Sequence, residues 1–340
     1  MSRSISQVAT LRRLARVYRR LLVLAIPAAL AACQGAGDSL APDAASDPAA
    51  PAASPAAEEA VPSPDIVGAL ASDRIAFSSF TADKGSDVWS MDPQGGTLAH
   101  LTSFTGLENE PSWSYDHKHI AFTRGRNTVA TDIFLMNADG TNKHWARSAT
   151  YAGIIDEPSW SPDGTHLLVR IEYNHGFYLA KLDLATGNLA LVAPAGLFGV
   201  AGSYPIYDPT GKTIIYVDNT YKTIKRFTPG GALTTVFTSS AYLDQLAISP
   251  DGTRLAYSVG VAASNSEIYV LNLATKVTKR LTYNSAVDQN PAWSPDGTKL
   301  AFASYRTGKM QIWTMNSSTG GSLTRITGRA YGASAPSWAQ

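Results

Sequence analysis

The sequence predicts an all-β, six-bladed β-propeller, and three observations carry that prediction. The first is a recurring segment. It reads EPSWSYDH at 110–117, EPSWSPDG at 157–164, YPIYDPTG at 204–211, QLAISPDG at 245–252 and NPAWSPDG at 290–297, with a shortened copy, APSWAQ, at 335–340. The second is its period. With Trp113, Trp160, Tyr207, Ile248, Trp293 and Trp338 as equivalents, the steps are 47, 47, 41, 45 and 45 residues. Units of about 40–50 residues with four short strands each are propeller blades. The third is the fit between the two ends. Arg74-Ile75-Ala76-Phe77 reads as a second strand with no first strand before it, and Ala335-Pro336-Ser337-Trp338 as a first strand with no second strand after it. Joined, they complete a sixth blade and remove the free sheet edges.

From the N-terminus, residues 1–32 read as a targeting segment outside the fold. Arg3, Arg12, Arg13, Arg16, Arg19 and Arg20 form a basic region, and Leu21 to Ala32 an apolar stretch too short for a stable span. The stretch ends in Leu30-Ala31-Ala32-Cys33, which resembles a bacterial lipobox. That resemblance implies cleavage before Cys33 and diacylation of its thiol, making Cys33 the lipidation site. Cys33 is the only cysteine. Gln34, rather than Asp, points to the outer membrane more than the inner. Residues 33–72 are dominated by Ala, Pro, Ser and Asp and have little to bury, so they are expected to be a disordered tether. Such a segment can reach on the order of 100 Å when extended. The propeller is then placed at 73–340.

Each unit can be read strand by strand. In 288–328, Pro291-Ala292-Trp293 is the first strand, and Ser294-Pro295-Asp296-Gly297 a type I turn. Residues 299–303, 311–315 and 323–326 supply the second, third and fourth strands. The second strand recurs at 75–77, 120–122, 167–169, 214–216 and 255–257, and the third at 88–91, 133–136, 177–179 and 268–271. The repeated aromatic reads as core between adjacent blades. The turn aspartates Asp163, Asp251 and Asp296 read as closing their turns on backbone N–H groups.

The unit P-x-W-S-P-D-G-x-x-L-A-F resembles the WD40-like PD40 repeat of the TolB propeller family. Residues 158–169 and 291–302 match it closely, and 205–216 and 246–257 loosely. His117 stands where the turn glycine belongs. The resemblance covers about 74–339 and implies a TolB-like propeller that binds other envelope proteins. Family members with an additional N-terminal α/β domain differ here, where an anchor and tether are expected.

In a propeller the first strand of each blade lines the central channel. The residues preceding each Trp-equivalent position should therefore ring one mouth. Glu108, Glu110, Asp156, Glu157, Asp244 and Asp288 fall there. They form a candidate binding site for a ligand, for Ca²⁺, which takes oxygen ligands, or for a basic segment of a partner. The plainer reading is a solvated rim. Close-set carboxylates need a cation or donors beside them. A repeated turn-edge position accounts for His119 and His166 better than metal binding does.

The 28 Lys and Arg include six in the leader, against 27 Asp and Glu, so the rest of the chain is mildly acidic. No basic stripe suggests nucleic acid. No G-x-S-x-G, H-E-x-x-H or P-loop signature is present. The expected protein is a monomeric lipid-anchored envelope lipoprotein that displays a binding module for an envelope protein or glycan. The alternative is a propeller glycoside hydrolase or lyase using two mouth carboxylates, which requires acids about 5–9.5 Å apart.

Overall fold

A computed structural model describes residues 73–82, 85–126, 130–147, 153–173, 176–262 and 265–339. The leader, Cys33 and the tether lie outside the described residues. The described chain forms six four-stranded antiparallel sheets. The first blade is built from both ends: Ala333–Trp338 pairs with Ile75–Phe80, which is followed by Ser86–Met91 and Ala99–His100. The second holds Glu108–Trp113, His119–Gly125, Thr131–Asn137 and His144–Trp145; the third Ile155–Trp160, His166–Tyr173, Gly176–Asp183 and Leu189–Leu191. The fourth begins at Gly202–Tyr207, the fifth at Leu243–Ile248 and the sixth at Asp288–Trp293. Successive first strands touch in sequence, and Ala333–Trp338 touches Glu108–Trp113, which closes the ring.

The predicted closure is thus present, with Ile75 opposite Trp338 and Ser79 opposite Ala333. The repeated aromatics lie between blades. Trp160 packs against Ala121, Ile133 and Leu135 of the second blade. Trp293, fully buried, packs against Ala256 and Ile268 of the fifth. Their indoles add a polar stitch, Trp160 Nε1 donating to the Ser112 carbonyl at 2.9 Å and Trp293 Nε1 to that of Ala247 at 3.1 Å. A buried indole N–H needs such an acceptor, and here the neighbouring blade supplies it.

The turns close as their chemistry requires. Asp163 Oδ1 accepts from Ser161 Oγ at 2.6 Å and from the Thr165 amide at 3.0 Å. Those bonds, the Ser161 hydroxyl first, lower its carboxyl to about 2. The residue after the turn Asp has positive φ, 70° at Gly164 and 67° at Gly297; His117 adopts the same conformation at 59°. Hydroxyls at the head of third strands tie one blade to the next: Ser86 donates to the Glu108 carbonyl, Thr131 to that of Ile155 and Ser266 to that of Asp288, each at 3.0 Å. Where the short fourth strand ends, a threonine continues the pairing. Thr102, Thr282 and Thr327 accept from the amides of Val88, Ile268 and Ile312 at 2.8–2.9 Å.

Candidate functional site

The six first strands enclose a cavity of about 230 Å³. Every one of them carries a bulge at the same place. Pairing with the second strand slips between Asn109 and Ser112, Asp156 and Ser159, Ser203 and Ile206, Asp244 and Leu246, and Gln289 and Ala292. The slip recurs where Ala333–Trp338 meets Ile75–Phe80. The third residue of each strand is left-handed: Glu110 (φ 56°), Glu157 (57°), Tyr204 (55°), Gln245 (44°), Asn290 (55°) and Ala335 (49°). A non-glycine residue pays for this conformation, so six in a ring need compensation. Side chains provide part of it. Glu110 Oε2 accepts from the Glu157 amide at 3.1 Å, Glu157 Oε2 from the Tyr204 amide at 2.6 Å, and Gln245 Oε1 from the Asn290 amide at 2.9 Å. Two of the predicted mouth acids therefore latch consecutive blades together.

Three of the other predicted acids are buried beside arginines. Asp156 is buried and held by Arg170, Oδ1 to Nε at 2.8 Å and Oδ2 to Nη2 at 2.6 Å. The same guanidinium lies 3.4 Å from Glu157. Asp288 is fully buried and takes Arg306 Nη2 at 2.8 Å and Asn284 Nδ2 at 2.6 Å. Glu108 is fully buried, 3.8 Å from Arg124 Nε. Asp244 is half-buried beside Ser258. The donors that close-set carboxylates require are thus arginines at the ends of the second strands. Among the described residues no group of three or more His, Cys, Asp or Glu is placed to hold a metal ion. The hydrolytic alternative needs two acids facing an open pocket. Glu110 and Glu157 both line the cavity, and one oxygen of each accepts from a backbone amide of the next blade.

Glu108 is the least comfortable of these groups. Neither of its oxygens makes a hydrogen bond. Burial pushes its carboxyl up to about 8, against the pull of Arg124 and helped by nearby Asp87. A carboxyl raised in the folded state binds its proton there and releases it when unfolded. Stability attributable to Glu108 is therefore full below about 4.5 and is lost as pH rises towards 8. Glu108→Gln is expected to melt higher than the parent at pH 8 and to converge with it near pH 5, as thermal scans across that range would show. Parallel pH profiles would refute the assignment.

The two ends of the channel differ in character. One is the mouth, where the first strands begin and the blade connections run; the other carries the Ser-Pro-Asp-Gly turns. The exposed acids Asp73, Asp116, Asp139, Asp163, Asp251 and Asp296 all lie on the turn face. On the mouth face no acid among the described residues is exposed. There the cations lie outside their partners: side-chain exposure is 20% for Arg124 against 0% for Glu108, 31% for Arg280 against 0% for Glu267, and 17% for Arg306 against 0% for Asp288. Glu108, Asp156 and Asp288 lie beside arginines of their own blades, whereas Glu110 and Glu157 line the cavity and reach the next blade. The exposed aromatics Tyr173, Phe198, Tyr242, Tyr283, Tyr305 and Tyr331 all belong to mouth-face ends or connections.

The sequence profile of the TolB β-propeller domain (PD40) matches residues 70–229 and 238–340. An uncharacterized protein of Agrobacterium fabrum is 40% identical over 84 residues, covering 25% of this chain and 28% of that protein. The Tol-Pal system protein TolB of Alcanivorax borkumensis is 50% identical over 79 residues, covering 23% of this chain and 18% of its own. The aligned stretches thus span less than a third of these relatives. Among solved structures, TolB from Acinetobacter baumannii superimposes with a TM-score of 0.68 at 20% identity, over 78% of this chain and 66% of that one. A putative TolB from Agrobacterium tumefaciens gives 0.58 at 17%, over 76% and 90%. At these identities the structural likeness bears on the fold.

Proposed function

Because the chain belongs to the TolB β-propeller (PD40) family, we propose that it is a binding module of a bacterial cell envelope, acting as a monomer and engaging a protein partner through its mouth face. One observation carries this reading. Every exposed Tyr and Phe among the described residues lies on that face, and the chain enters the propeller at Asp73 on the other. Exposed aromatics with arginines beside them are the residues that dominate protein interfaces.

The anchor in this proposal is Cys33, joined to the outer membrane through its acyl chains. Cys33→Ser is expected to move the protein into the soluble fraction with its thermal midpoint unchanged. Fractionation with metabolic acyl labelling checks it; a variant that stays with the membrane and carries no label refutes the anchor. For the binding face, the test is cross-linking in intact envelopes with Phe198→Asp and Tyr283→Asp against Leu98→Asp on the turn face. Loss of cross-linked protein in the first two alone supports the reading. Retention of the same partners in all three overturns it, and a product that a glycan-degrading treatment removes would make the partner a glycan.

A further inference from the structure

The mouth edge of the fifth and sixth blades carries one continuous arc of cations and tyrosines. Arg280 ends the fourth strand of the fifth blade, and Arg306 follows the second strand of the sixth. A chain of close contacts joins them. Arg280 Nη2 lies 2.8 Å from Glu267 Oε1, which also accepts from the Asn284 amide at 3.0 Å. Asn284 Nδ2 donates to Asp288 Oδ2 at 2.6 Å, and the same oxygen takes Arg306 Nη2 at 2.8 Å. The arc continues along the 305–310 connection. The Tyr305 amide donates to the Val287 carbonyl at 2.9 Å, and Lys309 Nζ to the Ala330 carbonyl at 2.8 Å, next to Tyr331. From Tyr283 to Tyr331 each step is a hydrogen bond, an ion pair or a short run of sequence.

The arc sorts its charges by depth. Glu267 and Asp288 are fully buried, and their arginines stand outside them. A molecule approaching this edge meets the positive ends of the pairs first. Lys309 is exposed and donates to a carbonyl, an uncharged acceptor. No acid among the described residues of the arc is exposed. Rings keep the guanidiniums in place, Arg280 lying 4.6 Å over Tyr283 and Arg306 4.8 Å over Trp313. Tyr283, Tyr305 and Tyr331, at 72%, 39% and 61% exposure, supply apolar area between the cations. Tyrosine with arginine is the composition of interface anchors. An outward charge of one sign selects a partner of the other.

We infer that this arc docks an acidic segment of the protein partner, an inference that rests on the protein-binding reading of the mouth face. Carboxylates of the segment meet Arg280, Arg306 and Lys309, and its apolar side chains pack on Tyr283, Tyr305 and Tyr331.

The probe is a fluorescent peptide of repeated Glu-Ser-Leu, titrated into the full chain at neutral pH beside its Gln-Ser-Leu counterpart and alginate, an acidic glycan. The Glu peptide is expected to bind about tenfold more tightly than the Gln peptide, and the difference to shrink as salt rises. Lys309→Glu is expected to weaken the Glu peptide about tenfold, and Tyr331→Ser by about the same factor. Lys222→Glu, at an exposed cation of the fourth blade on the same face, should leave it unchanged. The inference is overturned if the two peptides bind alike, if neither binds at millimolar concentration, or if Lys222→Glu weakens binding as much as Lys309→Glu. Alginate bound in place of the peptide would overturn it too, and make the occupant a glycan. The envelope cross-links of Phe198→Asp read the mouth face outside this arc, so failure of the protein-binding reading and failure of the acidic-segment inference are told apart.

Discussion

Truncation after Gly332 is expected to unfold the whole propeller rather than fray one end. The lost segment supplies the innermost strand of the first blade. Trp338, only 4% exposed, packs with Ile75, Phe77 and Ala292, so it touches both the strand it pairs with and the sixth blade. Ala339 donates to the Arg74 carbonyl at 2.9 Å, and Ser337 Oγ accepts from the Trp113 amide of the second blade at 3.1 Å. Removing one buried aromatic alone costs about 3–5 kcal/mol, against a typical total of about 5–15 kcal/mol. The truncation also strips the ladder from Ile75–Phe80 and opens the ring on both sides of it. A collapse of the thermal transition is the expected result. An unchanged midpoint would mean that the ring does not depend on this strand.

The architecture was legible because a propeller repeats its grammar. The Trp-equivalent position, the Ser-Pro-Asp-Gly turn and the apolar second strand occur at one spacing, and each has a physical reason that survives in the structure. The unmatched strands at the two ends were enough to place the closure. The direction of the mouth acids was not legible in the same way. Side chains along a strand alternate between faces, but a bulge shifts that alternation by one. Each first strand bulges at its third residue, so Glu108 and Asp156 cannot be assigned to channel or blade by counting from the tryptophan. The arginines that receive them were visible as residues. Arg124 is the direct cross-strand partner of Glu108, and Arg170 of Asp156. Pairing the strands on paper would have found both. The threonine clips were also present as a signal, in Leu101-Thr102, Leu281-Thr282 and Ile326-Thr327. Their role was hidden because the fourth strands are too short to announce where pairing ends. Mouth-face aromatics such as Phe198 and Tyr283 sit in connections whose length varies between blades, so no repeat position marks them.

Arg170→Ala should be the most damaging single substitution near the channel. The side chain is 2% exposed and lies within reach of two adjacent carboxylates, 2.6 Å from Asp156 and 3.4 Å from Glu157. It also reaches Ser203 of the fourth blade at 3.3 Å and stacks 4.3 Å over Phe177. Taking it away removes a guanidinium that both of these buried acids share. Breaking a buried pair from one side typically costs about 3–5 kcal/mol. The damage extends to the channel, because Glu157 is the residue that holds the Tyr204 amide and so latches the third blade to the fourth. Replacing the pair together, as Arg170→Met with Asp156→Leu, removes the buried Asp156 carboxylate along with its arginine and should restore a large part of the loss. Denaturant unfolding of the parent, the single and the double variant decides the matter. A single variant as stable as the parent would show that Arg170 is dispensable. A double variant no better than the single would place the cost in Phe177 packing or in Glu157 instead of in the Asp156 pair.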